Sequence, residues 1–326
     1  MKNKTILITG GGGFIGSHLA RKYIEEARIV KILDDFSTGS VSNIRGLLNY
    51  RNMKLIRGDI RDKALVDKAT EGVDIILHLA AQVHVDKSIV SPRSTFEVNT
   101  LGTLNILDAA LENEVELLVY ASSSEAYGSA QYVPIDEKHP LNPASPYAAS
   151  KAAADRLCFS YYSTYKLPVV IIRSFNTYGP RQARIGYTAV IPKFIKRLLR
   201  GLPPIIYGDG KQTRDYMYVE DAVRAYDLVL NSYERLLGQA VNFGTGKEIS
   251  ILDLAHLAVS LTGLGGKLEP IHVEPRPGEV ARLCADISLA KNTLHFEPRF
   301  SMEQGLEQTI RWYKEGRDED PLPDWE

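Results

Sequence analysis

Short apolar runs alternate with segments of helical periodicity along the first half of the chain. Each run is bounded by glycine, aspartate or serine, which is typical of strands buried on both faces of a parallel sheet. The runs lie at residues 5–8, 29–33, 75–81, 117–120 and 169–172, and a third strand in chain order ends at residues 58–62. The repeated alternation of strand and helix predicts an α/β fold built on a doubly wound parallel sheet.

The composition narrows the class of protein. The 326 residues carry a formal net charge of −1, so no broad attraction to nucleic acid or to an anionic membrane is expected. No apolar run reaches the ~18 residues that a membrane span needs. The two cysteines, Cys158 and Cys284, are too few for a disulfide framework, and we expect reduced thiols in a cytoplasmic protein. We predict no metal site.

A glycine-rich loop joins the first predicted strand to the first predicted helix. Gly10, Gly13 and Gly16 follow the pattern Gly-x-x-Gly-x-x-Gly. The missing Cβ atoms permit a tight turn, a close approach to a pyrophosphate and close packing of helix on strand. The helix N-terminus then presents N–H groups and a positive dipole end to the phosphates. With a strand before it and a helix after it, the loop indicates a dinucleotide site that also includes Phe14 and Ile15.

Residues at the ends of the following strands extend this site. Asp34 ends the second strand, where a carboxylate accepts hydrogen bonds from the adenosine ribose and repels a 2′-phosphate, so NAD is favoured over NADP. The alternative is a turn-forming aspartate, and the nearby Arg45 leaves NADP open. Asp59 and Ile60 are expected beside the adenine. Small residues at the end of the fourth strand let the backbone approach the cofactor, and this segment comprises Leu79, Ala80 and Ala81.

These features divide the chain into two regions. We predict an NAD-binding Rossmann domain over residues 1–174, to which part of residues 215–245 also belongs. Glycine and proline cluster after residue 172, where the chain is expected to leave the sheet. Residues 175–326 are predicted to form a smaller, mixed α/β domain that binds the substrate, and the acidic tail from residue 317 is expected to fray.

Tyr147 and Lys151 stand four residues apart and therefore share one face of a predicted helix. A lysine ammonium beside a phenol favours the phenolate, so the tyrosine can take a proton from a sugar hydroxyl while a nicotinamide takes the hydride. Alone, this spacing is common and usually marks a packed or solvated helix face. Behind a nucleotide-binding loop, the catalytic interpretation is the stronger one.

Together these residues resemble the extended short-chain dehydrogenase/reductase superfamily, in its branch of nucleotide-sugar epimerases and dehydratases. The resemblance covers nearly the whole chain, and its motifs lie at residues 9–16, 78–81, 122–128, 145–151, 173–181 and 214–221. It implies a transient oxidation at sugar C4, with Tyr147 as the base, Lys151 as its electrostatic partner and ribose ligand, and Ser123 as a third hydrogen-bonding member. The alternative for Ser123 is a strand-end serine that bonds local backbone.

Glu125 is the residue that separates the two reactions of this branch. Family dehydratases often carry a glutamate two residues before the Tyr127-Gly128 pair, where epimerases more often have a small or apolar residue. A 4,6-dehydratase is therefore implied, with Glu125 removing the C5 proton and protonating the departing C6 hydroxyl. The dTDP-glucose dehydratases have aspartate where Ser124 stands, whereas GDP-mannose and nonulosonic acid pathway dehydratases share Ser-Glu. The alternative is that Glu125 is a structural carboxylate in a 4-epimerase. Residues 276–280 resemble the 4-epimerases as much as the dehydratases.

The resemblance also implies a binding site for a nucleotide-diphosphate sugar. The chain is more similar to enzymes of UDP-sugars than to enzymes of GDP-sugars. Asn176 is expected at the diphosphate, Tyr207 beside the base, and Asn99 beneath the cofactor as a support for backbone. The other candidate substrate contacts, each with a solvated surface residue as the alternative, are Lys87, Ser124, Lys193, Arg214 and Arg276. Arg214 and Arg276 are the best candidates to bind the diphosphate and the ribose, because a planar guanidinium suits bidentate phosphate contact.

Two predicted helices, around residues 96–111 and 147–165, carry apolar residues on more than one side. In the family such helices form a four-helix bundle between two subunits, so a homodimer is implied, with ordinary packing as the alternative. The leading hypothesis is thus an NAD-dependent 4,6-dehydratase acting on a UDP-sugar such as UDP-N-acetylglucosamine. The alternatives are a 4-epimerase of UDP-hexoses or UDP-N-acetylhexosamines and, in another class, a non-catalytic NAD sensor.

Overall fold

A computed structural model describes residues 1–182, 189–265, 268–275 and 280–316 of the chain. Its strands, in chain order, are β1 (Thr5–Thr9), β2 (Ile29–Asp34), β3 (Met53–Arg57), β4 (Ile75–His78), β5 (Leu117–Ala121), β6 (Val169–Ser174), β7 (Asn176–Tyr178), β8 (Ile205–Tyr207), β9 (Thr213–Arg214), β10 (Tyr216–Tyr218), β11 (Ala240–Phe243), β12 (Ile249–Ser250), β13 (Ile271–Val273) and β14 (Arg282–Leu283).

The helices, in the same order, are α1 (Phe14–Tyr23), α2 (Val41–Ile44), α3 (Lys63–Thr70), α4 (Val85–Val90), α5 (Pro92–Phe96), α6 (Gly102–Glu112), α7 (Pro146–Tyr165), α8 (Val190–Leu199), α9 (Val219–Leu230), α10 (Ile251–Leu261), α11 (Ser288–Leu294) and α12 (Met302–Lys314). A π-helical turn, Glu97–Leu101, interrupts the helix that the sequence predicts as continuous over residues 96–111. Short 3-10 turns lie at Arg45–Leu47, Ser124–Tyr127 and Tyr233–Arg235.

The central sheet has seven parallel strands in the order β11-β6-β5-β4-β1-β2-β3. The predicted doubly wound Rossmann sheet is therefore confirmed. Strand order reverses between β1 and β4, and the crevice outside the carboxyl ends of the strands at such a reversal is where open α/β sheets bind ligands. Strands β1 and β4 are buried along their whole length, as their apolar sequences predict.

Buried apolar side chains cover both faces of this sheet. Along β1, Ile6 and Ile8 join a core with helices α1 and α9, whereas Leu7 joins a second core with α3, α6 and α7. Successive side chains of a strand point to opposite faces, so one strand supplies both cores. Burying each of these aliphatic side chains stabilises the fold by roughly 1.5–3 kcal/mol before the entropy of ordering is subtracted.

The later part of the chain builds a third core and also returns to the central sheet. Helices α8, α10 and α12 pack with β7 and β10 around Phe194, Leu254 and Ile310. Strand β11 instead pairs with β6, with Ala240 opposite Ile171. A domain boundary at residues 174/175 stays a prediction. No helix among the described residues has the length and apolar character required to cross a membrane.

A buried carboxylate joins three segments of the later chain. Asp215 is wholly buried between β9 and β10. Its Oδ1 accepts hydrogen bonds from Thr245 N at 2.8 Å and Thr245 Oγ1 at 2.6 Å, and its Oδ2 accepts from Gly246 N at 2.9 Å and Ala285 N at 3.2 Å. Four donors on one carboxylate satisfy both oxygens, so the side chain ties the junction of β9 and β10 to residues 245–246 and to Ala285.

Replacing Asp215 by asparagine should destabilise the fold. In Asp215→Asn the amide NH2 must face N–H donors, and we expect a loss of roughly 2–4 kcal/mol in the free energy of unfolding measured with urea. Asp209→Asn is the control, because Asp209 is exposed and accepts from Lys211 N at 3.0 Å within one turn. Equal midpoints for the wild type and Asp215→Asn would show that the carboxylate does not join these segments.

Candidate active site

A cavity of about 400 Å³ opens at the carboxyl ends of the central strands, on both sides of the strand-order reversal. It extends from Asp34 at the end of β2 to Tyr147 on α7. Most of the residues predicted from the sequence line it. The predicted residues in this lining are Gly10, Gly13, Phe14, Ile15, Gly16, Asp34, Asp59, Ile60, Leu79, Ala80, Ala81, Ser123, Ser124, Glu125, Tyr147, Lys151 and Asn176.

The glycine loop fits closely against the end of β4. Gly10 has a φ of +70°, and a Cβ placed on it would lie 2.7 Å from Ala80 N. A Cβ on Gly16 would lie 2.2 Å from the carbonyl oxygen of Gly10. Only glycine fits at these two positions. Helix α1 begins at Phe14 without a side-chain cap, so its first N–H groups can bind an anion in the cavity, and the loop fits a dinucleotide pyrophosphate.

Asp34 ties the end of β2 to the same loop. Its Oδ2 accepts from Gly12 N at 2.8 Å and its Oδ1 accepts from Phe36 N at 2.8 Å. Burial raises the pKa of this carboxyl above its usual value, and the two N–H donors oppose the rise. Asp34 is therefore a buried acceptor at the cavity wall, where it can meet a ribose hydroxyl while it orders the loop.

Helix α7 brings Tyr147 and Lys151 into the cavity one turn apart. The helix starts where Ser145 Oγ accepts from Ala148 N at 3.1 Å, and Tyr147 N donates to Ser88 Oγ of α4 at 3.0 Å. Lys151 Nζ donates to the carbonyl oxygen of Ala121 at 2.5 Å. Burial lowers the pKa of Lys151 to about 8. The lysine is thus directed by backbone at the end of β5 rather than by a carboxylate.

The turn after β5 presents the other candidate catalytic residues. Ser123 Oγ accepts from Glu125 N at 3.2 Å, so the local backbone bond considered as its alternative exists, and Ser123 lines the cavity as well. Ser124 and Glu125 line the cavity beside it. The turn ends at Gly128, whose φ is +68° and whose added Cβ would lie 1.8 Å from the carbonyl oxygen of Asn142. Glycine after Tyr127 is therefore a steric requirement.

Asn99 lies behind the lining. Its Oδ1 accepts from Gln82 N at 2.7 Å, and its Nδ2 donates to Gln82 O at 3.0 Å and to Ser150 Oγ at 2.9 Å. Ser150 Oγ in turn donates to the carbonyl oxygen of Tyr147 at 2.7 Å. The side chain joins the loop after β4 to the first turn of α7, which is a support for backbone and not a contact with the cavity.

The predicted cofactor residues line one cavity, but several of the predicted substrate residues lie elsewhere. Tyr207 lines a second cavity, together with Arg282 and the turn after β8. Lys87 on α4, Lys193 on α8 and Arg214 on β9 line neither cavity. The buried Arg214 donates from Nη1 to its neighbour's carbonyl oxygen at 2.8 Å. Arg276 lies outside the described residues.

The sequence interpretation missed a buried network around His78. The ring is wholly buried, and burial lowers its pKa to about 3, so the imidazole is neutral. Thr103 Oγ1 donates to Asn99 O at 2.7 Å and therefore accepts from His78 Nε2 at 2.9 Å. His78 Nδ1 then accepts from Thr9 Oγ1 at 2.7 Å, which itself accepts from Ala80 N at 3.2 Å. The sequence feature that could have indicated this network was the polar His78 within the apolar run at residues 75–81.

The cavity lining also includes residues that were not predicted, among them the polar residues Ser37, Thr38, Thr177 and Gln182. Ser37 and Thr38 follow Asp34 in the loop after β2, and Thr177 follows Asn176 in β7. Single polar residues beyond a strand have no periodic pattern, so only their neighbours in sequence could have indicated them. Among the described residues, no cluster of histidine, cysteine and acidic side chains could hold a metal ion.

Comparison with known proteins agrees with this geometry. The protein-family model described as GDP-mannose 4,6 dehydratase matches residues 7–309. A dTDP-glucose 4,6-dehydratase of Streptomyces niveus is 36% identical over 319 residues, which are 96% of this chain and 93% of that protein.

Two solved structures are similar over nearly the whole chain. The UDP-N-acetylglucosamine 4-epimerase of Methanobrevibacter ruminantium has a TM-score of 0.90 and 33% identity, covering 97% of this chain and 99% of that one. The NAD-bound dTDP-glucose 4,6-dehydratase of Streptomyces venezuelae has a TM-score of 0.90 and 34% identity, covering 96% and 98%. Dehydratases and epimerases are thus equally near in structure, and the chain belongs to the extended short-chain dehydrogenase/reductase family of nucleotide-sugar dehydratases and epimerases that the GDP-mannose 4,6-dehydratase model describes.

Proposed function

We propose that this enzyme is an NAD-dependent nucleotide-sugar 4,6-dehydratase that acts on a UDP-sugar such as UDP-N-acetylglucosamine. The observation that carries the proposal is the shared cavity of Glu125, Tyr147 and Lys151. A C4 oxidation needs the tyrosine and the lysine. A carboxylate in the same cavity adds what an elimination needs, namely a base for the C5 proton and an acid for the C6 hydroxyl.

NAD is the cofactor in this proposal, and when bound it accepts the hydride from C4 and later returns it. The glycine loop would hold its pyrophosphate at the start of α1. Asp34 would accept hydrogen bonds from the adenosine ribose, and its charge would repel a 2′-phosphate. Arg45 lies in the 3-10 turn after α2 and does not line the cavity, which also favours NAD over NADP.

Tyr147 would remove the proton of the C4 hydroxyl, and Ser123 would donate a hydrogen bond to the same oxygen. Lys151 would stabilise the phenolate through its positive charge, and the bond to Ala121 O holds its Nζ at the end of β5. Together these residues would promote oxidation of C4 to the 4-keto sugar, which is the shared intermediate of dehydratases and epimerases.

Glu125 would then take the C5 proton, which the C4 ketone makes acidic. The C6–O bond breaks as Glu125 protonates the departing hydroxyl, so water leaves and a 4-keto-5,6-ene remains. Return of the hydride to C6 and of a solvent-derived proton to C5 gives the 4-keto-6-deoxy sugar. The atoms balance with loss of one water and no net change in the oxidation state of the cofactor.

Asn176 lines the same cavity as Tyr147, and we place the diphosphate beside it. The second cavity, with Tyr207 and Arg282, would take the nucleotide base. Contacts from Lys87, Lys193, Arg214 and Arg276 stay predictions.

The second candidate function is a UDP-sugar 4-epimerase. Ser124 favours it, because the turn carries one carboxylate where dTDP-glucose dehydratases are expected to carry two. The similarity to the Methanobrevibacter ruminantium UDP-N-acetylglucosamine 4-epimerase points the same way. A non-catalytic NAD sensor is the least supported alternative, since a sensor has no need of Ser123, Tyr147 and Lys151 together at one cavity.

We also propose a cytoplasmic homodimer. Two helical segments carry exposed apolar side chains: the π-helical turn Glu97–Leu101 with α6, and α7. Leu101 in the first is 54% accessible to solvent, and Phe159 in the second is 42% accessible. These two helical segments from each of two copies would form a four-helix bundle that buries the exposed apolar side chains. The thiols of Cys158 and Cys284 are buried and free, which suits a reducing compartment.

The reaction itself can be tested in deuterated water. We expect UDP-N-acetylglucosamine, or UDP-glucose, to lose one water and to gain deuterium at C5, as detected by mass spectrometry and proton NMR. Glu125→Gln should reduce elimination by roughly 10²–10⁴-fold and should still form reduced nicotinamide from the C4 oxidation. Tyr147→Phe should abolish both, and Glu112→Gln on the surface is the control. A product of unchanged mass that is inverted at C4 would establish the epimerase instead.

The pKa of Lys151 predicts a pH dependence of stability. The folded-state pKa is about 8 against 10.5 for an unperturbed lysine, so between these values the unfolded chain holds a proton that the folded protein has released. Stability should therefore rise across this window, by an increment of about 2–3 kcal/mol that Lys151→Met lacks. Urea unfolding without added nucleotide, at pH steps from 7 to 10.5, measures the difference. Parallel curves for the two proteins would contradict the burial of a charged lysine.

Leu101→Arg should give a monomer, because the guanidinium would have to be buried in the proposed bundle. Light scattering coupled to size exclusion measures the mass of the wild type and the variant. Leu48→Arg is the matched control, since Leu48 is also exposed and lies outside helices α5 to α7. A monomeric wild type, or a Leu101→Arg dimer, would contradict the bundle.

A further inference from the structure

A single buried ion pair holds the turn Ser124–Tyr127 at both of its ends. Asp155 on α7 and Arg173 on β6 form two parallel bonds, Nε to Oδ2 at 2.9 Å and Nη2 to Oδ1 at 3.0 Å. Both side chains are almost inaccessible to solvent. The half-exposed Arg156 also donates to Asp155 Oδ1, from Nε at 3.0 Å. The carboxylate bonds Ser122, two residues before the turn, and the guanidinium bonds Tyr127, its last residue.

Ser122 and Tyr127 are the residues on either side of the candidate catalytic residues that this pair contacts, and Arg173 Nη1 also donates to the carbonyl oxygen of Glu137 at 3.3 Å. Ser122 Oγ donates to Asp155 Oδ2 at 2.8 Å. Arg173 Nη1 donates to Tyr127 Oη at 3.0 Å, and Tyr127 Oη uses its own hydrogen to donate to Asn242 Oδ1 on β11 at 2.7 Å. Between these anchors lie Ser123, Ser124 and Glu125, which are the candidate catalytic and binding residues of the turn.

The same ion pair is attached to the helix that carries the other catalytic residues. Asp155 follows Lys151 by four residues and Tyr147 by eight, so the three side chains lie along one face of α7. Through Asp155 and Arg173, the turn and this helix face share one rigid connection. A shift of the turn would therefore change the distance from Glu125 and Ser123 to Tyr147.

An ion pair of this kind is a weak source of stability. Desolvation of two charges offsets much of their attraction, and well-packed apolar side chains of similar volume often serve as well. Burial alone would raise the pKa of Asp155, but the hydrogen bonds and charge of Arg173 bring it below its usual value, so the carboxylate stays ionised. A pair that stays charged and makes all its hydrogen bonds is better suited to fixing the geometry of the turn than to stabilising the fold.

We propose that Ser122, Tyr127, Asp155 and Arg173 are positioning residues that hold Ser123 and Glu125 at the correct distance from Tyr147. The part that concerns Glu125 rests on the proposed dehydratase function. The part that concerns Ser123 applies to any reaction that begins with C4 oxidation.

Tyr127→Phe tests the proposal, because it keeps the ring and removes only the hydroxyl between Arg173 and Asn242. Replacing Asp155 or Arg173 would instead leave the other charge buried without a partner, and the variant could fail to fold. We expect kcat to fall by roughly 10–100-fold, as for a catalytic group misplaced by about 1 Å, while KM for the nucleotide sugar stays within about twofold. Tyr23→Phe is the matched control, since Tyr23 is equally buried and bonds Asp227 at 3.5 Å away from the cavity.

Double-mutant cycles separate positioning from a general loss of structure. Combined with Ser123→Ala, Tyr127→Phe should slow the formation of reduced nicotinamide by much less than it does alone, because its effect passes through Ser123. Combined with Glu125→Gln, it should likewise add little to the loss of elimination. Losses that multiply in both cycles, or a change in KM alone, would overturn the proposal. If the wild type inverts C4 without losing water, the dehydratase assignment fails, and the Ser123 cycle still decides whether Ser122, Tyr127, Asp155 and Arg173 are positioning residues.

Discussion

The close approach of the glycine loop to the end of β4 is the constraint on which the site depends. No side chain fits between Gly10 and Ala80, and the backbone there is held by Thr9, which bonds both Ala80 N and the neutral ring of His78. This contact sets how near a dinucleotide can come to the strand ends. Because Asn99 continues the same network to α7, the loop that would receive the phosphates and the helix that carries Tyr147 belong to one hydrogen-bonded unit.

Polar groups in the site are oriented mainly by backbone. Lys151 meets the carbonyl oxygen of Ala121, Asp34 meets two loop N–H groups, and Ser123 accepts from Glu125 N. Backbone partners fix position without neutralising charge, which leaves the lysine and the carboxylates able to interact with a ligand. The buried, neutralised pair of Asp155 with Arg173 lies behind the lining, where it can order the site without entering the chemistry.

The sequence was sufficient for the strands of the central sheet except β11 and for about half of the cavity lining, because these depend on local patterns. Apolar runs fixed the strands, and glycine, tyrosine and lysine at set spacings indicated the residues that line the site. What could not be predicted depends on distant pairs, such as Tyr127 with Asn242, which are 115 residues apart, or Gln82 with Asn99, which lies in a π-helical turn. Arg214 shows the same limit, since its residue type suggested a phosphate contact, which stays a prediction, whereas the bond from its Nη1 to the carbonyl oxygen of Thr213 had no signal in the sequence. Strands of two residues, such as β9 and β14, have no pattern to detect.

The return of β11 to the central sheet has a consequence for synthesis on the ribosome. β6 pairs with β5 on one side and with β11 on the other, and β11 begins only at Ala240. A nascent chain that has completed β1 to β6 therefore carries an apolar strand edge whose partner has not yet been made, while the intervening helices and short sheets emerge. Such an edge is a template for pairing with another chain. The order of elements thus makes the interval between residues 174 and 240 the period in which this protein most needs protection from aggregation.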